Sequence, residues 1–177
     1  GHTAIGSGCE IGPNAMVRDC IVGKDTTINA SQVNESTIGS HTTVGPFTYV
    51  RPNCCIGDHC RVGDFVEVKN SVIGDGTKIS HLTYVGDSDV GQRVNFGCGT
   101  VTTNYDGHKK HRCTIGDDVF LGCNTNLIAP VTVADRAYTA AGSTVTDDVP
   151  EGALAIARQR QTNIRGWADR LRKTWKK

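Results

Sequence analysis

A chain of 177 residues, 37% of them hydrophobic, is long enough for one domain with a continuous core. Its formal net charge of +1 does not demand a strongly polyanionic partner, and we predict no nucleic-acid role. No hydrophobic run reaches membrane-spanning length and no signal peptide is visible, so we expect a cytoplasmic protein without membrane insertion. The chain opens without Met, in mid-repeat at Gly1, from which we expect a fragment of a longer protein.

Aliphatic residues followed by glycine recur at roughly every sixth position. The pairs begin at Ile5, Ile11, Val22, Ile38, Val44, Ile56, Val62, Ile73, Val85, Val90, Phe96, Ile115 and Leu121. Four places after the aliphatic residue comes a small or β-branched one, as at Cys9, Thr42 and Cys60. A period of six fits neither an amphipathic helix nor a hairpin sheet, and is typical of a hexapeptide β-helix. In such a fold the aliphatic residue fills the core and glycine relieves the tight corner.

Three hexads make one triangular coil, so residues about 18 apart stack in neighbouring coils at about 4.8 Å. We predict an all-β parallel β-helix of about eight coils over residues 1–150, followed by a basic arm at 151–177. The predicted coil heads are Ile5, Val22, Ile38, Ile56, Ile73, Val90, Ile115 and Val133. The hexad resembles that of the left-handed β-helix family, and the expected handedness rests on this resemblance.

Eight cysteines raise the question of a metal site or disulfides. Cys9, Cys54 and Cys60 occupy the small interior position, where a thiol behaves as a compact hydrophobe. No CxxC pair is present, and Cys54 and Cys55 point to opposite faces of one strand. We therefore predict inert thiols in a reducing compartment and no metal site.

Two cations break the repeat at positions where glycine is expected. Arg51 and Lys69 are separated by one coil step and should stack on adjacent coils along one edge. Two unit charges about 5 Å apart repel by about 3 kcal/mol at an effective dielectric constant of 20. An anion beside them would offset this cost, and phosphate is the natural candidate. Arg18 breaks the same rule without a stacked partner, so a lone cation here can be plain surface.

Polar residues gather on neighbouring coils at Glu67, His81, Tyr84 and Asn95. Glu67, Tyr84 and Asn95 occupy the outward sixth position of their hexads, and His81 lies shortly before Tyr84. Histidine takes up protons near neutral pH, so His81 is suited to accept a proton from an amine or a hydroxyl group. We predict one catalytic cluster here, against the simpler interpretation of an exposed surface histidine.

The insertion at 102–114 is predicted to interrupt the second hexad of the sixth coil and to loop outward. It contains Asn104 and Tyr105 and then Lys109 and Lys110. Long excursions from a regular fold are usually functional. A flat prism face forms no deep pocket by itself, so this loop could form one wall of a pocket whose other wall is a second subunit.

The last twenty residues carry eight basic side chains and one acidic side chain. The arm is either a solvated tail or a clamp for a phosphorylated ligand. Trp167 and Trp175 are expected to pack the arm against a neighbouring subunit.

Several runs beyond the hexad itself carry a specific family resemblance. They are Pro46–Pro52, Val66–Ser71, Ile79–Asp87, Asn95–Gly97, Asn104–Gly107 and Ala155–Arg158. These runs strongly resemble the acetyltransferase domain of the bifunctional bacterial N-acetylglucosamine-1-phosphate uridyltransferase / glucosamine-1-phosphate N-acetyltransferase. The resemblance extends from the start of the chain to the basic arm.

The resemblance implies transfer of an acetyl group from acetyl-CoA to the amine of glucosamine 1-phosphate, on the route to UDP-N-acetylglucosamine and the cell wall. It also implies a homotrimer with sites between adjacent prisms, completed by the C-terminal arm. No metal is expected for the acetyl transfer. The family's nucleotidyltransferase domain, with its magnesium site, has no counterpart in this chain.

The resemblance also implies residue roles, carried over by position. His81 would be the general base, in a catalytic set with Glu67 and Asn104. The substrate-binding residues would be Arg51, Lys69 and Lys110 on the phosphate, with Tyr84, Asn95 and Glu67 on the sugar. The residues that contact acetyl-CoA would be Cys98, Asn104, Tyr105, Cys123, Ala141 and Arg158.

Two of these positions depart from the family pattern. Cys123 stands where relatives have serine, which replaces a hydroxyl donor by a weak thiol donor. Cys98 stands where they have alanine, and a backbone contact there would survive the change.

Three other classes of function remain open from the residues. The first is a hexapeptide acyltransferase for another acceptor, such as serine, a galactoside or a lipid precursor. The second is a metal enzyme similar to γ-carbonic anhydrase, which needs histidines clustered on successive strands. His41, His59, His81, His108 and His111 are not expected to cluster in this way. The third, a non-enzymatic solenoid, would display a regular outward ladder of one residue type.

Overall fold

The computed structural model describes residues 1–175 and consists of short parallel strands wound into a left-handed β-helix with three faces. The predicted all-β, hexapeptide-repeat fold class is confirmed. Strands are numbered in chain order. Neighbouring strands on one face belong to successive coils and pair in parallel.

The strands of the first face are β1 (Ala4–Ile5), β4 (Ile21–Val22), β7 (Thr37–Ile38), β10 (Cys55–Ile56), β12 (Val72–Ile73), β14 (Ser88–Val90), β17 (Cys113–Ile115) and β20 (Val131–Val133). From β4 onwards, each strand of the first face buries an aliphatic residue in the core, whereas Ile5 of β1 is exposed at the open end of the prism. The pairing runs through every predicted coil head from Ile5 to Val133. Thr37 pairs with Cys55 across one regular coil, whereas Asp89 pairs with Thr114 across a longer coil that contains the insertion.

The second and third faces share two long strands that run around the corner between them, β11 (Arg61–Lys69) and β13 (Lys78–Gly86). The other strands of the second face are β2 (Glu10–Ile11), β5 (Thr27–Ile28), β8 (Thr43–Val44), β15 (Asn95–Phe96), β18 (Phe120–Leu121), β21 (Tyr138–Thr139) and β23 (Leu154–Ala155). Those of the third face are β3 (Met16–Arg18), β6 (Gln32–Asn34), β9 (Tyr49–Val50), β16 (Val101–Thr103), β19 (Asn126–Ile128) and β22 (Thr144–Val145).

Side chains at the small interior position form hydrogen bonds with backbone carbonyl and N–H groups at the corners. Thr42 Oγ1 donates to the Gly57 carbonyl at 2.9 Å and accepts from the Cys60 N–H at 3.0 Å. Cys54 and Cys60 are buried, as their positions predicted. Burial raises the pKa of both thiols, and it raises that of Cys113 to about 11, so these thiols are inert.

The repeat glycines serve close packing of coils, which differs from their predicted role in relieving the corner. A Cβ atom at Gly39 would collide with the backbone of Gly57 in the next coil, although Gly39 has no positive φ. The left-handed conformation falls two residues later, on His41 with φ 54°. The hexad therefore excludes a side chain where neighbouring coils approach each other most closely.

The insertion lies elsewhere than predicted. β16 keeps its place on the third face, with Thr102 fully buried, and β17 resumes the first face. The excursion therefore spans residues 104–112 and leaves the prism at the corner between the third and first faces. The prediction that it interrupts the second hexad was wrong, because Thr102 occupies the aliphatic position of a regular third hexad.

A ninth coil begins at Val149, which pairs with Val133, and the C-terminal arm leaves the prism after β23 of that coil, which pairs with β21. Helix α1 (Trp167–Trp175) has no buried residue, and both of its tryptophans are exposed. Residues 176 and 177 of the predicted arm lie outside the described residues. Across 1–175, no helix has the length and apolarity needed to cross a membrane.

Candidate active site

His81 lies at the corner between the second and third faces, with its side chain 56% exposed. Its Nδ1 is 3.0 Å from Oδ1 of Asp64, its register partner in the preceding coil. A carboxylate can only accept, so Nδ1 carries the proton and Nε2 is left for a substrate. The pKa of Asp64 is lowered by its own backbone N–H and then by His81.

Asp64 was missed in the sequence analysis. The signal was present, because Asp64 precedes His81 by one coil step and the two residues are in register.

The predicted cofactor residues follow His81 along the same corner. Because Ile79 pairs with Phe96 and Phe96 with Leu121, the positions two residues later place Cys98 beside His81 and Cys123 beside Cys98. Ala141 follows in the next coil, since Leu121 pairs with Thr139. Backbone hydrogen bonds at the corner run from Asn124 N to Cys98 O and from Gly142 N to Cys123 O, both at 2.8 Å. We call the series Asp64, His81, Cys98, Cys123 and Ala141 the His81 row.

Arg158 lies beside the Ala141 end of the His81 row. A Cβ atom at Gly142, next to Ala141, would lie 3.7 Å from Cδ of Arg158. Four of the residues predicted to contact acetyl-CoA are therefore brought together, although they are widely separated along the chain.

Arg51 and Lys69 stack at the corner between the third and first faces, as predicted, because Val50 pairs with Val68. The expected need for a bound anion is corrected by their partners. Arg51 Nη1 lies 3.0 Å from Glu67 Oε1, and Lys69 Nζ lies 3.2 Å from Asp87 Oδ2. These carboxylates offset the repulsion within the protein, so the stacked pair alone is not evidence for phosphate.

Lys110 of the insertion adds a third cation to this corner. Together these residues line a cleft of about 410 Å³, here called the cationic pocket, formed by Arg51, Pro52, Asn53, Lys69, Asn70, Asp87 and Lys110. Within residues 1–175, Lys110 has no carboxylate within ion-pair distance. The neighbouring ammonium group of Lys69 lowers the pKa of Lys110. Competition with Lys110 for a proton, and then the contact with the Asp87 carboxylate, raise the pKa of Lys69.

Asp87 is a second residue that the sequence analysis did not assign. Its buried carboxylate accepts hydrogen bonds from Lys69, Asn70 and Asn104. Burial acts to raise its pKa, but these three donors outweigh burial and lower it. Asp87 therefore stays ionised and links its three donors at the base of the cationic pocket.

Asn104 and Tyr105 do not lie on the His81 row. The Asn104 side-chain amide donates to Asp87 and, at 3.3 Å, to the Tyr84 hydroxyl. The Tyr105 hydroxyl donates to the Gly107 carbonyl at 2.8 Å. Within one chain, both residues belong to the cationic-pocket side of the third face, apart from the other predicted cofactor residues.

Glu67 and Tyr84 lie side by side on the third face between the two corners. Beside them is a second cleft of about 450 Å³ with an apolar wall that includes Phe65, Leu82 and Val101. Phe65 and Leu82 are each 60% exposed and hold left-handed backbone conformations. The third face thus carries cations at one corner, a polar centre and an imidazole at the other corner.

Asn95 does not join this arrangement, and the prediction of one cluster was wrong on this point. It lies on the second face, in register with Lys78 and Phe120. The outward sixth position recurs on every face, so sharing that position with Tyr84 did not place Asn95 beside it.

Two histidines cluster where none were expected to. His41 and His59 lie on neighbouring coils and stack with ring centroids 4.9 Å apart. Nδ1 of His41 is 3.8 Å from Asp25. Among residues 1–175, no three His, Cys, Asp or Glu side chains are grouped to hold a metal ion.

Comparison with known proteins first defines the class. A family model described as bacterial transferase hexapeptide (six repeats) matches residues 35–70 and 112–147. Perosamine N-acetyltransferase from Caulobacter crescentus, solved with CoA and GDP-perosamine, has a TM-score of 0.58 at 25% identity, over 66% of this chain and 53% of that one. LpxA, a UDP-N-acetylglucosamine acyltransferase from Bacteroides fragilis, shares the fold, with a TM-score of 0.62 at 15% identity over 85% of this chain and 69% of that one. The chain is thus similar to hexapeptide-repeat transferases, and it shares their fold.

More similar relatives narrow this class. Bifunctional protein GlmU of Clostridium acetobutylicum is 55% identical over 170 residues, which are 96% of this chain and 37% of that protein. Bifunctional protein GlmU of Oceanobacillus iheyensis is 62% identical over 167 residues, or 94% of this chain and 37% of that protein. The chain thus spans little more than a third of the length of these relatives. The resemblance predicted from the motifs is confirmed, and the chain is homologous to the acetyltransferase domain of the GlmU family.

Proposed function

We propose that this chain transfers the acetyl group of acetyl-CoA to the amine of glucosamine 1-phosphate. The product, N-acetylglucosamine 1-phosphate, would serve UDP-N-acetylglucosamine and cell-wall synthesis. The observation that carries the proposal is the layout of the third face. A pocket with three cations lies at one corner, and a histidine held by a carboxylate lies at the other.

The spacing of the two corners suits a hexose phosphate. Lys69 pairs with Gly86, and both Gly86 and His81 lie on β13. The five residue steps from His81 to Gly86, at about 3.3 Å each, separate the two Cα atoms by at most about 17 Å. Extended lysine and histidine side chains take up part of this distance and leave a gap that one sugar with its phosphate can bridge.

In the proposed orientation the phosphate binds Arg51, Lys69 and Lys110, and the sugar lies over Glu67 and Tyr84. The amine then faces Nε2 of His81. As nitrogen attacks the thioester carbonyl, His81 takes up one of its protons, because an ammonium group has no lone pair for attack. The C–N bond forms, the C–S bond breaks, and CoA leaves as a thiolate that the imidazolium can protonate.

Acetyl-CoA would lie along the His81 row, with its thioester next to His81 and the rest of the molecule passing Cys98, Cys123 and Ala141 towards Arg158. The proximity of these residues to one another supports this path. The transfer needs a base and hydrogen-bond donors, and no metal enters the proposed mechanism.

We further propose that the active form is a homotrimer. Asn95 faces away from Glu67 and Tyr84 of its own chain, so it can contribute to the sugar site only from a neighbouring copy. The exposed tryptophans of α1 also find no partner surface among residues 1–175 and would pack on that neighbour.

The test is to incubate the purified chain with acetyl-CoA and measure CoA release with glucosamine 1-phosphate, glucosamine, serine or a galactoside as acceptor. The proposal expects release with glucosamine 1-phosphate far above the others. Arg51→Ala should raise KM for the sugar phosphate and leave KM for acetyl-CoA near its original value. Equal or faster release with an acceptor that lacks phosphate would overturn the proposed substrate.

A further inference from the structure

Three of the eight cysteines are exposed, namely Cys55, Cys98 and Cys123. Two of these three are register neighbours on the His81 row. Cys55 is different, because its register partners are Thr37 and Val72. The chain therefore presents one pair of adjacent exposed thiols and one isolated exposed thiol.

The separation of the pair falls in the range that a disulfide requires. Register neighbours on adjacent coils have Cα atoms about 4.8 Å apart. Disulfides span Cα separations of about 4.4–6.8 Å. The hydrogen bond from Asn124 N to Cys98 O, at 2.8 Å, holds the two coils together at this point.

The surroundings of Cys98 and Cys123 favour thiol–disulfide exchange at these two residues more than at the interior cysteines. Thiol exchange needs an accessible sulfur that can lose its proton. The buried thiols of Cys54, Cys60 and Cys113 have raised pKa values. Cys98 is exposed and lies next to His81 in the row, where an imidazole can take up a thiol proton.

We propose that Cys98 and Cys123 form a reversible disulfide that controls access of acetyl-CoA to the His81 row. The oxidant is a small-molecule disulfide. One cysteine thiolate attacks it, which forms a mixed disulfide and releases one small thiol. The thiolate of the second cysteine then attacks the cysteine sulfur of the mixed disulfide, which forms the Cys98–Cys123 bond, breaks the bond to the small molecule and releases the second small thiol.

The disulfide would lie across the path proposed for the pantetheine arm, directly beside the base. It removes two thiols from that path and ties neighbouring coils together at the point where the thioester must approach His81. The predicted effect on catalysis rests on the proposed function, whereas formation of the disulfide does not depend on it.

The experiment treats the purified chain with excess glutathione disulfide, alkylates the remaining thiols and maps peptides without reduction. The inference expects one peptide pair linked through Cys98 and Cys123, and a glutathione adduct at Cys55. In Cys98→Ser and Cys123→Ser, the remaining partner should carry glutathione instead. Added acetyl-CoA, which has no free thiol, should slow formation of the link and leave the Cys55 adduct unchanged. Cys55→Ser is the matched control and should form the link as the unaltered chain does.

CoA release is measured in parallel on reduced, oxidised and re-reduced protein. Release should fall at least tenfold as the link forms and return after dithiothreitol. Separate glutathione adducts on Cys98 and Cys123 without a link would overturn the inference, as would a complete link with unchanged CoA release. Absence of acetyl transfer in the reduced protein would overturn the proposed function instead, and the peptide map would still decide whether the disulfide forms.

Discussion

The Asp64 carboxylate faces one ring nitrogen of His81 and leaves the other available for a substrate. Asp64→Ala should lower kcat about 10- to 100-fold, because a freely rotating imidazole loses part of the 10²–10⁴-fold gain that a placed base supplies. KM for acetyl-CoA should stay within about twofold of its original value. Steady-state kinetics with both substrates varied give this separation.

Two further variants distinguish orientation from charge. Asp64→Asn keeps an acceptor for Nδ1 but no charge, so its kcat should fall between those of the alanine variant and the unaltered chain. Asp58→Asn is the control, since Asp58 is also an exposed carboxylate that accepts a neighbouring backbone N–H. A loss in Asp58→Asn as large as that in Asp64→Asn would show that the effect is not specific to His81.

Lys110 gives the cationic pocket a dependence on pH. Its pKa is lowered from the usual 10.5 by Lys69, and only the protonated amine holds a phosphate. KM for glucosamine 1-phosphate should therefore be low below this pKa and rise as the pH increases through it, earlier than for an ordinary lysine. Loss of this charge-assisted hydrogen bond should raise KM by about tenfold or more.

Lys110→Arg should flatten the alkaline rise in KM, because guanidinium stays protonated throughout this range. Lys109→Arg changes the neighbouring loop lysine and should leave the rise as it is. Measurement of KM against pH for the three proteins decides the matter. A rise that persists in Lys110→Arg would assign the titration to another group.

The limits of prediction at the residue scale follow from hydrogen bonding. Arg51 and Lys69 could be placed because a stack needs only the coil step. Glu67 and Asp87 as their ion-pair partners could not, because a side chain on a corner can turn towards either neighbouring coil. The repeat predicts where each Cα atom lies, whereas the ion-pair partner of a side chain depends on the rotamer that the side chain adopts.

Among the structural elements, β13 connects the two corners of the site, and its last residue must be glycine. A Cβ atom at Gly86 would collide with the Tyr84 hydroxyl and with Nδ2 of Asn104. Gly86→Ala should displace both groups and raise KM for the sugar phosphate at least tenfold, with a loss of stability of about 1–3 kcal/mol. Kinetics and thermal unfolding measure the two effects.

A double-mutant cycle separates this collision from a general loss of fold. In a Tyr84→Ala background, the aromatic ring that meets the new Cβ atom is gone, so Gly86→Ala should destabilise less than it does in the unaltered chain. Equal destabilisation in the two backgrounds would place the strain elsewhere in β13.

The strands were predictable because the hexad determines which residue enters the core of each. The insertion was misplaced by one hexad, since Thr102 stands where an aliphatic residue was expected. Its hydroxyl accepts the Gly86 N–H at 2.8 Å, so a polar residue fills an interior position. Hydropathy alone does not detect such a substitution.

For the whole molecule, a single prism leaves the predicted site divided between faces. Coil step and register follow from the sequence, but assignment of a position to a face requires counting every corner correctly. Asn95 shows the consequence, because its hexad position is the same as that of Tyr84 while its face is not. This separation of Asn95 from Tyr84 predicts which faces of two neighbouring copies of the chain would form one site.

Co-expression of two impaired variants tests this sharing. His81→Ala and Asn95→Ala each disable every site of a homotrimer, but in mixed trimers a site can take His81 from one chain and Asn95 from its neighbour. Random mixing in equal amounts should restore about a quarter of the sites. His81→Ala mixed with Lys69→Ala is the matched control, because both residues lie on the third face of one chain and no mixed site is intact. CoA release per trimer, with the assembly mass checked by light scattering, gives the result. Recovery in the control, or none in the His81 and Asn95 mixture, would contradict a site built from the third face of one copy and the second face of the next.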